Sequence, residues 1–273
     1  MIEGKALQKT CHSTLVADKL DFKLVNGSVY GVLDPLGTTV GAFLALLAGA
    51  ITPDSGFVRI NGFDTVKDRA KAGKCIGYMP KNLIPYPDMT PEEYLSFIAE
   101  ARGLDFEDGV RVVSSLLNQA ELRGRKRSLC THLSPSERKR LCLAQALVGD
   151  PEILILEEPC VGIGEREKLA LLDRIDLLAD TKTVIIGSTS LSLLRDVCDS
   201  ILVLSEGRLL GTYDANDEAL DTLFANLCKN SGMESLPDTA PSRLSKKRHS
   251  KRTYTPPKKR GEYELIDDDG NEA

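Results

Sequence analysis

The stretch "GVLDPLGTTVGAF", residues 31–43, runs from an apolar segment into a turn with Pro35 and Gly37, and then into a second run of small and apolar residues. This order predicts a buried strand, a tight loop and a helix. A loop that leads into a helix N-terminus can bind phosphate groups through backbone N–H groups. The stretch therefore predicts a corner of an α/β fold and raises the question of whether that corner binds a ligand.

The composition is that of an ordinary globular protein. With 273 residues, the chain is long enough for one large domain or two small ones. No uncharged apolar run approaches the ~20 residues that span a bilayer, and the first residues form no apolar leader. The seven cysteines are scattered without a zinc-type spacing. We therefore expect a cytosolic protein with reduced thiols and no metal centre.

Further apolar runs bounded by turn residues predict strands at about 28–34, 57–61, 74–79, 152–157 and 183–188. The longest of them are continuous rather than alternating, as expected for a parallel sheet that is covered on both faces. Helix-type segments lie between these runs, at 41–49 and 90–102. The pattern therefore predicts an α/β core.

Local signals predict three further features. The segment 90–93, Thr-Pro-Glu-Glu, combines a capping box with proline at the first helical position, so a helix should begin there. The dipeptide 206–207, Glu-Gly, separates two short apolar runs and predicts a β-hairpin. The stretch 86–146 is mainly of helical type and predicts a helical insertion in the core.

Four stretches carry a resemblance to a known family. They are the corner at 31–43, "IGYMPKNLIPYPDMTPEEYLSFIAEARGL" (76–104), "LSPSERKRLCLAQALVGDPEILILEEP" (133–159) and "VIIGSTSLSLLRDVCDSILVLSEGRLLGTY" (184–213). In order and spacing they resemble the ATP-binding subunit of an ABC transporter, above all the subunits that serve ABC-2-type exporters, including gliding-motility ones. The likeness spans roughly residues 1–225.

The resemblance implies a P-loop NTPase-like α/β cassette. Its parts are a parallel core sheet, an antiparallel N-terminal β-subdomain and the helical insertion at about 86–146, all in one domain over residues 1–230. The implied cofactors are ATP and Mg²⁺. The implied partners are a membrane permease of the ABC type and a second cassette, in a homo- or heterodimer. The implied location is cytoplasmic and peripheral, at the inner face of the membrane.

The corner departs from the P-loop pattern G-x-x-x-x-G-K-[ST] at each of its four defining positions, which hold Asp34, Thr39, Val40 and Gly41. Val40 removes the phosphate-binding cation, and Gly41 removes the hydroxyl that binds Mg²⁺. Asp34 would repel a phosphate ~4 Å away by about 4 kcal/mol at an effective dielectric near 20. Only Gly37 remains from the inner loop, and it is the candidate nucleotide-binding residue there. We expect ATP and Mg²⁺ to bind weakly or not at all; the alternative to a binding loop is a corner with no ligand.

Other positions of the family pattern are replaced as well. They are the aromatic residue that stacks on adenine, the glutamine that senses metal and water, the aspartate after the Walker B strand and the switch histidine, which correspond to Cys11, Lys81, Gly164 and Ser190. Together these changes indicate that ATP hydrolysis has been lost.

Two carboxylates remain in "ILILEEP". Glu157 replaces the aspartate associated with Mg²⁺, and its extra methylene group should displace the carboxylate. Glu158 matches the general base of the family, which polarises water for attack on the γ-phosphate, and it is the one catalytic candidate. The alternative is an acidic strand end that caps a neighbouring loop.

The signature of the family, L-S-G-G-Q, is replaced by "LSPSE" at 133–137. Ser134 is retained and could contact a nucleotide held by a second cassette. Read from physical chemistry alone, Ser134 is a helix N-cap, Pro135 the first helical residue and Glu137 the other half of a capping box. In that reading Glu137 takes the N–H groups and the dipole that a phosphate would use.

From about residue 231 the apolar content falls, and we expect 231–273 to be a disordered tail. Its basic part, 241–260, carries nine Lys/Arg and no acid, and 261–273 carries six acids and no base. The basic part could be a solvated linker, a contact for anionic lipids or a nucleic-acid tether. Nucleic acid is the least favoured partner, because Tyr254 is the only aromatic residue available for stacking in 241–260.

Three functions follow from these observations. The first is a degenerate cassette with weak or no ATP hydrolysis, which acts as a structural or regulatory half of an exporter. The second is an active ATPase that energises an ABC-2-type exporter, with other groups in place of the missing ones. The third is a permease-independent scaffold that acts through its charged tail.

Overall fold

The computed structural model describes residues 1–230, so the predicted tail at 231–273 lies outside the described residues. The helices and strands follow one another as β1 (Ile2–Cys11), β2 (Thr14–Leu24), β3 (Val29–Leu33), α1 (Val40–Leu47), β4 (Ser55–Ile60), β5 (Phe63–Asp64), α2 (Arg69–Cys75), β6 (Ile76–Met79), α3 (Pro91–Ala101), α4 (Phe106–Gln119), α5 (Pro135–Leu147), β7 (Ile153–Glu157), α6 (Glu165–Ala179), β8 (Thr183–Ser188), α7 (Leu191–Val197), β9 (Ser200–Ser205), β10 (Arg208–Asp214) and α8 (Ala219–Asn230).

The core is a six-stranded sheet in the order β10-β9-β3-β8-β7-β6. All neighbours in it are parallel except β9 and β10, which form the predicted hairpin. Strands β3, β7 and β8 consist of residues buried almost throughout, because both faces of the sheet are covered: one by helices, the other by α1 and the strands β1, β2 and β4. The predicted parallel core is therefore confirmed.

The register of the core sheet brings three strand ends together. Leu33 at the end of β3 pairs with Ser188 on β8, and Gly187 on β8 pairs with Glu157 on β7. In open α/β sheets, ligands bind outside the carboxyl ends of the strands. The loops that follow these three strands therefore form the candidate site.

A second, four-stranded sheet in the order β2-β1-β4-β5 is antiparallel throughout. It is the antiparallel N-terminal β-subdomain that the resemblance implies. The predicted strand at about 57–61 lies in this sheet, as part of β4, rather than in the parallel core. The hydrogen bond from the Asp18 N–H to the Gly207 carbonyl connects it to the β9–β10 turn.

The segment 86–146, predicted to be mainly helical, contains α3, α4, two short 3₁₀ turns and all of α5 except its last residue. Helix α3 begins with the predicted capping box: Thr90 accepts from the Glu93 N–H, and Glu93 accepts from the Thr90 N–H. No helix among residues 1–230 is long and apolar enough to cross a membrane.

Candidate functional site

The loop between β3 and α1 closes around the carboxylate of Asp34, which is 1% exposed. Oδ1 accepts a hydrogen bond from the Leu36 N–H at 3.0 Å. Oδ2 accepts from the Thr39 N–H at 2.7 Å, from the Thr39 hydroxyl at 2.8 Å and from the Thr38 hydroxyl at 3.4 Å. Backbone N–H groups of this kind bind phosphates in a working P-loop. Here the loop uses two of them to hold its own anion.

Gly37 closes the turn inside this loop. Its N–H donates to the Asp34 carbonyl at 3.0 Å, and its φ of 65° lies in the left-handed region that favours glycine. A methyl group added at Gly37 would lie 3.0 Å from Cγ2 of Thr189, on the loop after β8. The turn and this close approach explain the glycine without a nucleotide, and the predicted role of Gly37 in nucleotide binding stays a prediction.

Val40 stands at the position of the phosphate-binding lysine and belongs to the core. Its side chain is buried, and its Cγ2 lies against Gly187 on β8, where a methyl group would meet it at 2.7 Å. The first turn of α1 therefore presents an apolar contact to the sheet at this position. It supplies no cation to the loop.

Glu157 lies against Gly41, so that these two departures from the family pattern meet in space. A methyl group added at Gly41 would lie only 2.5 Å from Oε1 of Glu157. Oε2 of Glu157 accepts from the Lys81 N–H at 3.1 Å and from the Tyr78 hydroxyl at 3.4 Å. Burial and the neighbouring Glu157 charge raise the pKa of Tyr78, so this hydroxyl is a donor at neutral pH. The longer side chain thus fills the space that a metal-binding hydroxyl at position 41 would need.

Glu158 follows β7 with a φ of 44° and is 4% exposed. Its Oε2 accepts from the Ser188 hydroxyl at 3.0 Å, and its Oε1 accepts from the Thr189 N–H at 2.8 Å. Both oxygens therefore accept hydrogen bonds from the loop after β8. This is the alternative interpretation from the sequence, in which an acidic strand end caps a neighbouring loop. The predicted catalytic role of Glu158 stays a prediction.

The N-terminus of α5 has the predicted capping box. The Ser134 hydroxyl accepts from the Glu137 N–H at 3.2 Å, and Glu137 Oε2 accepts from the Ser134 N–H at 2.8 Å. Oε1 of Glu137 forms an ion pair with Arg125 at 3.1 Å. Burial raises the pKa of Glu137, but the hydrogen bonds to Ser134 and the charges of Arg125 and Arg140 outweigh burial, so the pKa lies below its ordinary value. The predicted nucleotide contact of Ser134 is untested.

Two other replaced positions also have local structural roles. Ser190 is the N-cap of α7, and its hydroxyl accepts from the Leu193 N–H at 3.3 Å. Gly164 is the N-cap of α6, where a methyl group would lie 2.7 Å from Oε2 of Glu167. At both positions the present residue fits the start of a helix.

Gly37 and Glu158 both lie next to Thr189, whereas Ser134 makes its contacts within the start of α5. One residue of this region has no signal in the sequence. In the sequence, Lys139 is only one of several charged residues in a helix. In the structure, its amine donates to the carbonyl of Glu158 at 3.4 Å.

The residues around the loop differ from those that hold Mg-ATP in the P-loop pattern. The carboxylate of Asp34 already accepts the loop donors, and the carboxylate of Glu157 lies where the hydroxyl at position 41 would be. Within residues 1–230, no group of three or more His, Cys, Asp or Glu side chains is arranged to hold a metal ion. No reaction step through a bound nucleotide follows from this geometry.

Comparisons with known proteins give a consistent result. Residues 17–161 match the family model described as "ABC transporter". The chain is 31% identical over 209 residues to the Nod factor export ATP-binding protein I of Burkholderia orbicola. This match covers 76% of this chain and 68% of that protein. It is 26% identical over 218 residues to the linearmycin resistance ATP-binding protein LnrL of Bacillus subtilis, and this match covers 80% of this chain and 70% of that protein.

Among solved structures, the fold is similar to the dimeric structure of MJ0796, a bacterial ABC transporter cassette. The TM-score is 0.72 with 19% sequence identity, and the match covers 80% of this chain and 100% of that chain. At this identity the likeness concerns the fold alone.

Proposed function

This chain belongs to the family of ABC transporter ATP-binding subunits, and we propose that it is a degenerate member whose own side chains fill its nucleotide site. Subunits of this family ordinarily bind ATP and Mg²⁺, form dimers and pair with a membrane permease. The proposed protein keeps the cassette fold but has weak or no ATP hydrolysis. It acts as a structural or regulatory half of an exporter complex.

The observation that carries the proposal is the buried carboxylate of Asp34. It accepts hydrogen bonds from two N–H groups and two hydroxyls of the loop, at 2.7 to 3.4 Å. A nucleotide phosphate would have to displace this anion, or approach it at the cost of like-charge repulsion. The hydrogen bonds that give a P-loop its affinity are thus already made in the free protein.

A second observation supports the loss of the metal site. Glu157 and Gly41 are complementary: a side chain at position 41 would require the carboxylate of Glu157 to move from its present place. Both replacements therefore contribute to one packed arrangement, in which a carboxylate oxygen occupies the place of the metal-binding hydroxyl. Such packing favours a site that is occupied by the chain's own side chains over a site that has lost some ligands but still accepts Mg²⁺.

We place the protein at the inner face of a membrane, bound to a permease of the ABC type. The names of the two relatives concern export and resistance, which supports an exporter. A second cassette with a working site would supply the ATP cycle, and the basic segment 241–260 would add contact with anionic lipids.

The enzymatic part of the proposal is tested by ATP hydrolysis of the purified full chain at millimolar Mg-ATP. The matched variant is Glu158→Gln, which keeps the shape of the side chain and removes its basicity. General base catalysis contributes about 10²- to 10⁴-fold to a rate, so a real activity of this chain would fall by that factor. We expect equal, background rates for both proteins. A wild-type rate at least about tenfold above that of the variant would establish the active ATPase instead.

The location is tested by fractionating cells that contain the full chain. We expect it to sediment with the membrane and to stay there in about 1 M salt, because a permease interface is less sensitive to screening than lipid headgroup contacts. Release by salt alone would show that only the basic segment holds it. Recovery in the soluble fraction at low salt would contradict the membrane assignment and favour the scaffold.

A further inference from the structure

Lys139 lies in the second turn of α5, but its amine contacts the core rather than the helical insertion. Nζ donates to the carbonyl of Lys81 at 3.3 Å and to the carbonyl of Glu158 at 3.4 Å. The side chains on either side of it, Arg138 and Arg140, make their contacts within the insertion. Lys139 therefore joins α5 to two loops that follow core strands.

The first of these loops, residues 80–83 after β6 (the β6 loop), is held from several sides. The Lys81 N–H donates to Glu157 at 3.1 Å, so the amide and the carbonyl of this residue are fixed by different elements. The Cys142 thiol donates to the Leu83 carbonyl at 3.5 Å. Because Lys139 and Cys142 are three residues apart, they share one face of α5. That face of α5 therefore contacts the carbonyls of both Lys81 and Leu83.

The charge of Lys139 is half-buried between these carbonyls. Burial lowers the pKa of Lys139, since removal of the ammonium group from water disfavours its charged form. Hydrogen bonds from a charged donor to carbonyl oxygens are stronger than those between neutral groups. The ammonium group is therefore kept in a partly buried place by the contacts that it makes with the two loops.

We propose that Lys139 is a positioning residue, whose ammonium group holds the β6 loop against the strand end at Glu158 and fixes the junction between the helical insertion and the core without a ligand. Lys81 stands where the resemblance implies a glutamine that senses metal and water. A loop that the chain's own groups hold from both sides needs no nucleotide to order it. If the nucleotide site is filled as proposed above, the cassette presents its insertion to a partner in one orientation; this consequence rests on the proposed function.

The test is hydrogen exchange of the full chain and of Lys139→Met, which keeps an apolar stem of similar length but removes the donor. We expect the peptide that covers the β6 loop to exchange about tenfold faster or more in the variant, because two charge-assisted hydrogen bonds are lost. Lys139→Gln leaves a neutral donor and should give an intermediate rate. The amide of Val161, which donates to the Glu158 carbonyl, should also exchange faster.

The matched control is Lys168→Met, because Lys168 forms its ion pair at 3.6 Å with Glu165 on its own helix, α6. It should leave exchange of the β6 loop unchanged. Equal exchange of this loop in wild type and Lys139→Met would overturn the role of Lys139, whatever the nucleotide result. Added Mg-ATP provides the separate readout: protection of the wild-type corner at 34–41 by Mg-ATP would contradict the proposed function while leaving the comparison of Lys139 variants intact.

Discussion

Replacement of Asp34 by asparagine tests whether the carboxylate supports the loop from inside. Asparagine has the same shape, so it creates no cavity. Its amide group supplies one acceptor oxygen where the carboxylate supplies two, and its NH₂ group must then face either the Leu36 N–H or the Thr39 N–H. At least one of these two N–H groups loses its partner.

The expected loss follows from these contacts. An unsatisfied buried donor costs about 1–3 kcal/mol, and a lost hydrogen bond to a charged group costs a similar amount. Removal of a buried charge offsets part of this, so we expect a net destabilisation of about 2 kcal/mol. For a domain of this size the melting temperature falls by about 2–4 °C per kcal/mol, which gives about 4–8 °C. Calorimetry or circular dichroism of the full chain measures it.

Asp105→Asn is the matched control, because it makes the same chemical change at an exposed site. Asp105 is the N-cap of α4, where its side chain accepts from the Asp108 N–H at 2.8 Å. Asparagine caps helices about as well as aspartate, so this variant should change the melting temperature by less than about 2 °C. If Asp34→Asn melts within that same range, the carboxylate does not hold the loop and the reasoning is refuted.

Three further predictions follow from the geometry. Gly41→Ser should lower the free energy of unfolding by about 1–3 kcal/mol, because the new side chain overlaps Glu157. Addition of Glu157→Asp should recover at least half of this loss. If denaturant unfolding shows that the losses of the two substitutions add, the fit of this pair is contradicted. Glu137 has a lowered pKa, so its contribution to stability is complete above pH 4.5 and is lost as the pH falls through its folded-state value; Glu137→Gln should therefore reduce the acid sensitivity of unfolding below pH 4.5, and an unchanged pH profile would count against the capping role. Gly207→Ala, at a φ of 76° and with the Leu15 carbonyl 2.7 Å from the new methyl group, should cost about 1–3 kcal/mol, and an unchanged melting temperature would show that the turn relaxes freely.

Features with local causes could be predicted from the sequence. The capping boxes at Thr90 and Ser134 involve residues three apart, and the β9–β10 turn depends on two adjacent residues with positive φ. The parallel core was also predictable, because strands buried on both faces leave continuous apolar runs. These signals do not depend on how distant segments pack.

The filling of the site was only partly predictable. The sequence identified Asp34 as an anion in the loop, but not that its partners would be the loop's own N–H groups. The fit between Glu157 and Gly41 joins residues more than a hundred positions apart, and it depends on the packing of β7 against α1. Lys139 gave no signal at all, since its two carbonyl partners belong to backbone that any sequence could supply.

The most direct test of the central claim is thermal unfolding of the full chain with and without millimolar Mg-ATP, with Mg²⁺ alone as the reference. A ligand at 100 times its Kd stabilises the native state by about 2.7 kcal/mol, which corresponds to about 5–11 °C here. The filled site of Asp34 and Glu157 predicts no shift beyond about 1 °C. A shift of several degrees would contradict this account, because it would mean that the loop exchanges its own carboxylate for the phosphates of the nucleotide.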